Sequence, residues 1–546
     1  MRNGLNWGAS VAALVMLAAG AAQAQPVAPQ EAAPPGQECR KVRDWPPPMQ
    51  PGMRVPAGYM TPEANLEMMV CLPEGDVARV VSLMEQVVSG LAGADAQTRS
   101  VIRWVAPAGL GPVGGAPGDP LWSMPVLLKD NIETADMPTT AGSLALTENA
   151  PGRDAPLVAR LRQNGAIILG KTNLSEWANI RSSNSISGWS AVGGQTRNPY
   201  DLERTPCGSS SGSAVAVAIG LAPAAIGTET DGSITCPASV NGVVGFKPTV
   251  GLVSRTHIVP ISHSQDTAGP ITTTVEDAAR VLSVIAGTDP LDPATAEADA
   301  QKVDYRAALD AGSLRGARIG VLRFLLPSYS EETRAEFERS LRVMRDAGAV
   351  IVDVTEPPAD WRNLGTWELQ VLMTELKVDL NAYLASTDPE QVKTRTLADV
   401  IAFNEAEPRE TELFGQELFV RAEATTGLED PVYVHARASS LRAAGPEGID
   451  RMMADHGVVA LIAPTTSRGW TSDREDDDDM QGSASRLAAI AGYPHLTVPM
   501  GFDRGMPVGM SFMAGKWDDA KVLSLGYAFE QLTQARRAPG SIGGGD

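Results

Sequence analysis

Three short patterns in this 546-residue chain match motifs that carry chemistry in other proteins. The first is GSSSG at residues 208–212, which fits the GxSxG nucleophile elbow with Ser210 as the nucleophile. An elbow needs a β-strand directly before it, yet residues 201–207 (DLERTPC) are polar and contain a proline. Because the strand is missing, this pattern does not by itself predict a nucleophile at Ser210.

The other two patterns match nucleotide-binding loops in residue type but not in predicted structure. Residues 165–172 (GAIILGKT) fit GxxxxGK[ST], but the four residues between the glycines are predicted to be the strand itself, so their N–H groups cannot surround a phosphate. Residues 109–114 (GLGPVG) fit GxGxxG, but Pro112 and the Pro- and Gly-rich sequence after it offer no helix N-terminus for a pyrophosphate. We therefore predict no nucleotide cofactor.

Metal-binding patterns are also weak. The histidines show no metal-ligand spacing, and none is marked as a catalytic base, so we expect each to be structural: His257, His263, His435, His456 and His495. The acidic run at residues 476–479 is predicted to be a solvated loop. We expect no metal and no other cofactor.

The elements that would position a site alternate between short apolar runs and helical periods. Strands are predicted at 125–128, 166–169, 224–227, 242–246, 317–322, 350–354, 458–463 and 495–499. Helices are predicted at 155–163, 211–221, 275–285, 331–347, 484–491 and 518–532. Strands separated by single helices indicate an α/β fold in which helices cover both faces of the sheet.

The first residues are typical of a secretory leader. Arg2 precedes an apolar run at 11–22 that ends in Ala-Gln-Ala at 22–24, and 12 apolar residues are too few to span a bilayer, which needs about 20. We predict a signal peptide at 1–24, a Pro-rich N-terminal arm at 25–58 and one main domain at 59–540. The mature protein is expected to be periplasmic or secreted, with no membrane association after signal cleavage.

The charge of the chain argues against nucleic acid as a partner. The chain contains 45 Lys and Arg and 65 Asp and Glu, a net charge of −20, which becomes −21 once Arg2 is removed with the leader. Such a charge repels phosphate backbones, so nucleic acid is not expected as a partner. We expect a monomer that binds a small substrate.

The central serine- and glycine-rich region, residues 193–249, resembles the amidase signature family. The similarity includes GLVSRTHIVPISHSQDTAGP at 251–270 and AAIAGYPHLTVPM at 488–500, and it covers about 400 residues. ETDGSI and SQDTAGP are most similar to bacterial peptide amidases. The resemblance implies a single large amidase-signature domain with a central, mostly parallel mixed sheet and helices on both faces, and amide hydrolysis by a Ser-Ser-Lys triad without a metal.

The resemblance also assigns the triad residues. It implies Lys129 in PVLLKDN as the base, Ser209 as the bridging serine after a cis Gly208-Ser209 peptide, and Ser233 in TDGSI as the nucleophile. Ser233 lies 24 residues after Ser209, which fits the family spacing. The chemistry is consistent, because a serine needs a base and a lysine can be that base only when burial lowers its pKa.

The loop at 230–233 is also predicted to supply an oxyanion hole from the backbone of Thr230, Asp231, Gly232 and Ser233, because a glycine lets successive N–H groups converge. Asp231 replaces a glycine usual in the family, and its carboxylate is expected to point away from the oxyanion. Thr235 stands where many relatives have arginine, which puts a substrate role for that position in doubt.

We predict hydrolysis of a carboxamide to a carboxylic acid and ammonia through an acyl-enzyme on Ser233, with C-terminal peptide amides as the leading substrates. One alternative is a general aliphatic or aromatic amidase. A non-catalytic binding protein on the same scaffold is a second. The related transamidation subunit that acts on charged transfer RNA is disfavoured by the leader and the negative charge.

Four cysteines are too few for a disulfide scaffold in so long a chain. In an oxidising compartment we expect a Cys39–Cys71 disulfide that ties the arm to the body. Cys207 and Cys236 are expected to stay free thiols, because a bond between them would constrain both serine loops at once.

Overall fold

The computed structural model describes residues 91–105, 119–122, 124–471 and 482–540. The predicted leader, the Pro-rich arm, Cys39 and Cys71, residues 109–114 and residues 476–479 therefore lie outside the described residues. Within the described ranges, each helix is too short or too polar to span a lipid bilayer.

The strands follow the chain in this order: β1 (Val101–Trp104), β2 (Pro125–Lys129), β3 (Ile167–Thr172), β4 (Trp189–Ser190), β5 (Gly194–Gln195), β6 (Ala224–Glu229), β7 (Val244–Lys247), β8 (Thr267–Thr272), β9 (Arg318–Leu322), β10 (Val350–Val354), β11 (Ala460–Pro464), β12 (His495–Asp503) and β13 (Met506–Met513). All but β4 and β5 form one 11-stranded sheet in the order β1-β3-β2-β6-β8-β7-β12-β13-β11-β9-β10. The parallel pairs lie in two groups, β3-β2-β6 and β11-β9-β10, and antiparallel pairs join them. Every strand predicted from the sequence is present.

The α-helices are α1 (Pro156–Gln163), α2 (Ser211–Ala218), α3 (Thr235–Val240), α4 (Val275–Ile285), α5 (Ala298–Gln301), α6 (Glu331–Asp346), α7 (Trp361–Ser386), α8 (Leu397–Ala406), α9 (Pro408–Thr411), α10 (Glu417–Glu423), α11 (Pro431–Ala444), α12 (Arg451–His456), α13 (Ser485–Ala491) and α14 (Asp519–Thr533). Shorter helical segments span Leu144–Leu146, Glu176–Asn179, Pro293–Glu297, Arg323–Ser328 and Gly445–Asp450. The six predicted helices are all present, and α3, α5 and α7 to α12 are additions that the sequence patterns did not indicate.

Strand β2 shows that helices cover both faces of the sheet. Val126 and Leu128 belong to the main hydrophobic cluster with α1 and α4, whereas Leu127 belongs to a second cluster with α2. Alternate side chains of a strand point to opposite faces, so the two clusters lie on opposite sides of β2. The predicted α/β fold with a central mixed sheet is confirmed, and Lys129 stands at the end of a strand that is buried on both sides.

Candidate active site

The Lys129 amine is fully buried, and its hydrogen-bond partners among the described residues are neutral. Its Nζ lies 2.7 Å from Ser209 Oγ, 2.8 Å from Thr228 Oγ1 and 3.2 Å from the Thr228 carbonyl oxygen. Burial lowers the pKa of Lys129 to about 7, although the negative charges of Asp266 and Glu229 oppose the shift. A lysine in this setting is neutral in a large fraction of molecules near neutral pH.

Ser209 connects this lysine to the serine-rich loop that precedes α2. The Gly208-Ser209 peptide is cis, as the resemblance implies, and the Ser209 side chain is fully buried. The Ser209 carbonyl oxygen accepts a hydrogen bond from the Ser175 N–H at 3.1 Å. Gly208 has no room for a side chain, since a Cβ there would overlap Ser175 Oγ. The loop is therefore packed tightly around the Ser209 hydroxyl.

Ser233 lies in the loop between β6 and α3, which we call the nucleophile loop (residues 230–233). Its carbonyl oxygen accepts a hydrogen bond from the Ser210 N–H at 3.1 Å, which places the two serine loops side by side. Ser233 is 8 % exposed, whereas Lys129 and Ser209 are 0 % exposed, so Ser233 is the most accessible of the three candidate triad residues. Among the described residues, no hydrogen bond links the Ser209 and Ser233 hydroxyls.

Backbone donors converge at the nucleophile loop. Glu229 Oε2 accepts the N–H groups of Ile234 and Thr235 at 2.7 and 2.9 Å. Gly232 has φ +79°, a left-handed conformation that favours glycine and turns the chain here. In the described part of the chain, the N–H groups of residues 231–233 are bonded to no protein acceptor. They are the donors that an oxyanion could use.

Ser210, the serine of the GxSxG pattern, has a different environment. Its hydroxyl donates to the Thr228 carbonyl oxygen at 3.0 Å and accepts from the Thr228 N–H at 3.2 Å. The side chain is fully buried, and the segment before Gly208 is not a strand. The Ser210 side chain therefore joins the serine-rich loop to strand β6 and is not presented as a nucleophile.

The prediction that Cys207 and Cys236 are free thiols is wrong, because they form a disulfide with a Cα–Cα distance of 6.0 Å. The Ser210–Ser233 backbone hydrogen bond already holds the two loops together, so the cysteines that flank them fall within disulfide reach. The two loops therefore accommodate the backbone hydrogen bond and the disulfide together. The disulfide joins the loop of Ser209 to the helix that follows Ser233.

A buried polar segment, residues 261–266, supports the nucleophile loop from a second side. Asp266 accepts a hydrogen bond from the Thr230 hydroxyl at 2.5 Å and from the N–H groups of Ile261 and Ser262 at 2.7 and 2.9 Å. Burial raises the pKa of Asp266 to about 6. Gln265 Nε2 donates to the Thr230 carbonyl oxygen at 3.3 Å and to Glu368 Oε1 at 3.1 Å. Helix α7 is thus linked to the nucleophile loop.

Asp231 Oδ1 is buried and has no hydrogen-bond donor among the described residues, and the negative charge of Asp231 contributes to raising the pKa of Glu368 of α7. The orientation of the Asp231 carboxylate away from an oxyanion stays a prediction. Sequence reasoning did not single out Thr228, Asp266 or Glu368. Asp266 lies within the SQDTAGP segment that carries the resemblance, so this signal was available. Glu368 had no local signal, because its partners come from distant parts of the chain.

Within the described ranges, one group has ligand atoms close enough for a metal: His263, Glu375 and Asp379. Protein donors already occupy these carboxylates. Glu375 accepts from the hydroxyls of Ser262, Ser264 and Tyr433, and Asp379 accepts from the His263 backbone and ring. Hydrogen bonds to Asp379 raise the pKa of His263, which favours an imidazolium between two carboxylates. This donor set fits a hydrogen-bonded junction between α7 and residues 262–264 better than a metal centre.

Comparisons with known proteins identify the family to which the chain belongs. A family model described as "Amidase" matches residues 106–523. The crystal structure of peptide amidase from Stenotrophomonas maltophilia is 48 % identical, covers 86 % of this chain and 99 % of its own, and has a TM-score of 0.78.

Two curated relatives differ in described activity. A probable amidase of Arabidopsis thaliana is 40 % identical over 77 % of this chain and 78 % of its own length. A glutamyl-tRNA(Gln) amidotransferase subunit of Roseiflexus castenholzii is 36 % identical over 77 % of this chain and 84 % of its own length.

Proposed function

Because the chain belongs to the amidase signature family of enzymes, hydrolases that act on amides, we propose that it cleaves C-terminal amides of peptides through an acyl-enzyme on Ser233. One observation carries the proposal: the Lys129 amine, with a pKa lowered to about 7, lies 2.7 Å from Ser209 Oγ in a fully buried site. Such an amine can remove a proton through Ser209, which a charged surface lysine cannot do.

In this mechanism Lys129 is the base and Ser209 transmits the proton. A neutral amine has two N–H groups and one lone pair; the Thr228 carbonyl and hydroxyl oxygens can accept the first two, and the lone pair can accept the Ser209 proton. Ser209 then takes the proton of Ser233 as the latter attacks the substrate carbonyl. The Ser233 hydroxyl rotates toward Ser209 when substrate binds, since catalytic hydrogen bonds tighten in the bound complex.

The tetrahedral oxyanion is assigned to the unoccupied N–H groups of the nucleophile loop. Each such donor lowers the barrier by about 3 kcal/mol in comparable hydrolases. The proton held by Lys129 returns through Ser209 to the amide nitrogen, so ammonia leaves and the acyl group stays on Ser233. Water attacks the ester by the same route in reverse and releases the acid. The proposed oxyanion hole thus consists of the backbone of Thr230, Asp231, Gly232 and Ser233.

Substrate choice rests on the similarity to peptide amidase. The S. maltophilia enzyme is 48 % identical over nearly all of its length, and its described activity is the reason for placing peptide amides first. A general aliphatic or aromatic amidase is the alternative within the same mechanism. The glutamyl-tRNA(Gln) amidotransferase relatives share the family, but a net charge of −20 opposes an RNA partner.

We also propose that the protein is exported. The support is the pattern of Arg2, the apolar run at 11–22 and the Ala-Gln-Ala end, together with the Cys207–Cys236 disulfide, since disulfides persist in oxidising compartments. The mature chain would begin at Gln25.

The test is ammonia release from a panel of peptide amides, simple aliphatic and aromatic amides, and esters, with Ser233→Ala as the inactive variant and Ser210→Ala as the matched serine control. We expect peptide amides to have the highest kcat/KM, with no loss when a chelator is added. If Ser210→Ala abolished turnover and Ser233→Ala did not, the assignment of the nucleophile would be wrong. Binding of amides without ammonia release would favour a binding protein.

A further inference from the structure

We propose that Gln265 is a positioning residue that directs the N–H group of Asp231 toward the oxyanion, and that Glu368 of α7 keeps the Gln265 amide in the orientation that this requires. The role rests on the proposed function, since an oxyanion forms only if Ser233 attacks a carbonyl group.

The Thr230 carbonyl and the Asp231 N–H belong to one peptide group. Among the described residues the cis peptide is Gly208-Ser209, so the Thr230-Asp231 peptide is trans. In a planar trans peptide the C=O and N–H bonds point in opposite directions. Gln265 Nε2 donates to the Thr230 carbonyl oxygen at 3.3 Å, so the Asp231 N–H is directed away from Gln265. No protein acceptor among the described residues receives that N–H.

Thr230 is held at a second point by the neighbour of Gln265. Its hydroxyl donates to Asp266 Oδ1 at 2.5 Å. Asp266 Oδ2 in turn accepts the N–H groups of Ile261 and Ser262 at 2.7 and 2.9 Å. Because two adjacent residues bind the side chain and the carbonyl oxygen of Thr230, the peptide that follows Thr230 has little freedom to rotate.

Glu368 determines which end of the Gln265 amide faces Thr230. Gln265 Nε2 donates to Glu368 Oε1 at 3.1 Å and to the Thr230 carbonyl oxygen, so one atom supplies both N–H groups. A flipped amide would place its oxygen against two acceptors. Arg486 Nε of α13 lies 3.4 Å from Glu368 Oε2 and holds the carboxyl group from its other side.

Burial makes this orientation costly to lose. Gln265 is 2 % exposed and Glu368 is 6 % exposed, so water does not readily replace a lost hydrogen bond. If the Gln265 donor is removed, the Thr230-Asp231 peptide can rotate and the Asp231 N–H no longer faces the oxyanion. Such a change weakens binding of the transition state and leaves binding of the substrate almost unchanged, so kcat should fall at nearly constant KM.

The first experiment measures ammonia release from peptide amides by wild type and Gln265→Met. Methionine has a similar length and offers no N–H to Thr230. Removal of one oxyanion donor costs roughly 10²–10³-fold in kcat in comparable hydrolases, so we expect a loss of about 10²-fold with KM within about two-fold.

Gln416→Met is the matched control. Gln416 is also buried and its Nε2 donates to a backbone carbonyl oxygen, that of Ile401 in α8, at 3.1 Å. The substitution therefore removes the same kind of hydrogen bond away from the nucleophile loop, and kcat should stay within about two-fold of wild type.

A second measurement separates positioning of the oxyanion donor from a general structural effect. When a peptide aldehyde binds, a bond forms between Ser233 Oγ and the aldehyde carbon, the carbonyl π bond breaks, and the Ser233 proton passes through Ser209 to Lys129. The aldehyde oxygen becomes an oxyanion, which the corresponding peptide alcohol lacks. Gln265→Met should weaken inhibition by the aldehyde at least about ten-fold and inhibition by the alcohol at most about two-fold.

The role of Gln265 is overturned if Gln265→Met keeps wild-type kcat, or if it weakens aldehyde and alcohol binding equally. If Gln265→Met does not fold, Glu368→Leu and Glu368→Gln replace it. Leucine removes the acceptor and frees the Gln265 amide to turn, so kcat should fall at least about ten-fold. The glutamine oxygen can still accept from Gln265, so this variant should stay within about three-fold of wild type. Equal kcat values of the two Glu368 variants overturn the proposal.

Failure of the proposed function has a different result. If wild type releases no ammonia from any amide, the proposed function is wrong, and crystal structures of wild type and Gln265→Met decide the positioning role. A rotated Thr230-Asp231 peptide in the variant supports it, and an unchanged peptide overturns it. If wild type releases ammonia, the ratio of the kcat values decides.

Discussion

Two lysines on neighbouring parallel strands have the same burial but different hydrogen-bond partners. Lys129 at the end of β2 and Lys171 in β3 are both 0 % exposed. Lys171 Nζ lies 3.4 Å from Asp130 Oδ1 and also donates to the Ile132 carbonyl oxygen and the Thr139 hydroxyl. The partners of Lys129 in the described part of the chain are hydroxyl and carbonyl oxygens.

The strand geometry explains the difference. Consecutive side chains of an extended segment point to opposite sides, so Asp130 faces Lys171 and leaves its own neighbour Lys129 without a carboxylate. Burial lowers the pKa of both lysines, but for Lys171 the Asp130 charge directly opposes that shift. Lys171, which contacts a carboxylate, is therefore interpreted as a structural cation. Lys129, which contacts none among the described residues, is a candidate base.

The largest effect is expected when Lys129 is replaced. Lys129→Met should reduce kcat by roughly 10⁴-fold or more with the fold unchanged, because the base is lost and an apolar side chain suits the buried space. Ser209→Ala and Ser233→Ala should act similarly. Ammonia release and the circular dichroism spectrum check this. A Lys129→Met enzyme with substantial activity would exclude the proposed relay.

The second prediction concerns Lys171. Lys171→Met should destabilise the protein by about 3–5 kcal/mol, because Asp130 is left as an uncompensated buried charge. Urea unfolding measures the loss, and the double variant Asp130→Asn with Lys171→Met should recover part of it. Equal stability of the single variant and wild type would show that Lys171 is not a structural cation.

The third prediction concerns the disulfide, which joins the two loops beside Lys129 and has no counterpart beside Lys171 among the described residues. Cys207 and Cys236 are 29 residues apart, and the chain-entropy relation gives about 3–4 kcal/mol for such a loop. We expect the Cys207→Ser, Cys236→Ser double variant to lose about this much in urea unfolding and to lose activity before it unfolds. A variant that unfolds at the wild-type urea concentration would contradict the expectation.

The smallest effect is a pH dependence. The pKa of Lys129 is lowered to about 7, so kcat should be highest above pH 7 and fall about ten-fold per pH unit well below it, as protonation removes the base. The midpoint belongs to the coupled site and not to one residue alone. A rate that stays flat down to pH 4 would be incompatible with a neutral lysine.

The elements that were missed share a physical cause. Strand β8 contains Gly269 and Pro270, which argue against a strand, yet it pairs with β6 and β7 inside the sheet. Helix α7 buries Glu368 and Glu375, so its apolar stripe is interrupted. Both elements are stabilised by partners distant in the chain, which no local pattern reveals.

The sequence alone was sufficient for the α/β class, the predicted strands around Lys129, the amidase family and the three candidate triad residues, because these depend on local periodicity and on motifs that can be read in order. The tertiary structure decided the rest. It placed Asp130 against Lys171, joined Cys207 to Cys236 and brought Glu368 to Gln265, because each of these contacts forms between segments that meet only when the sheet and α7 are packed.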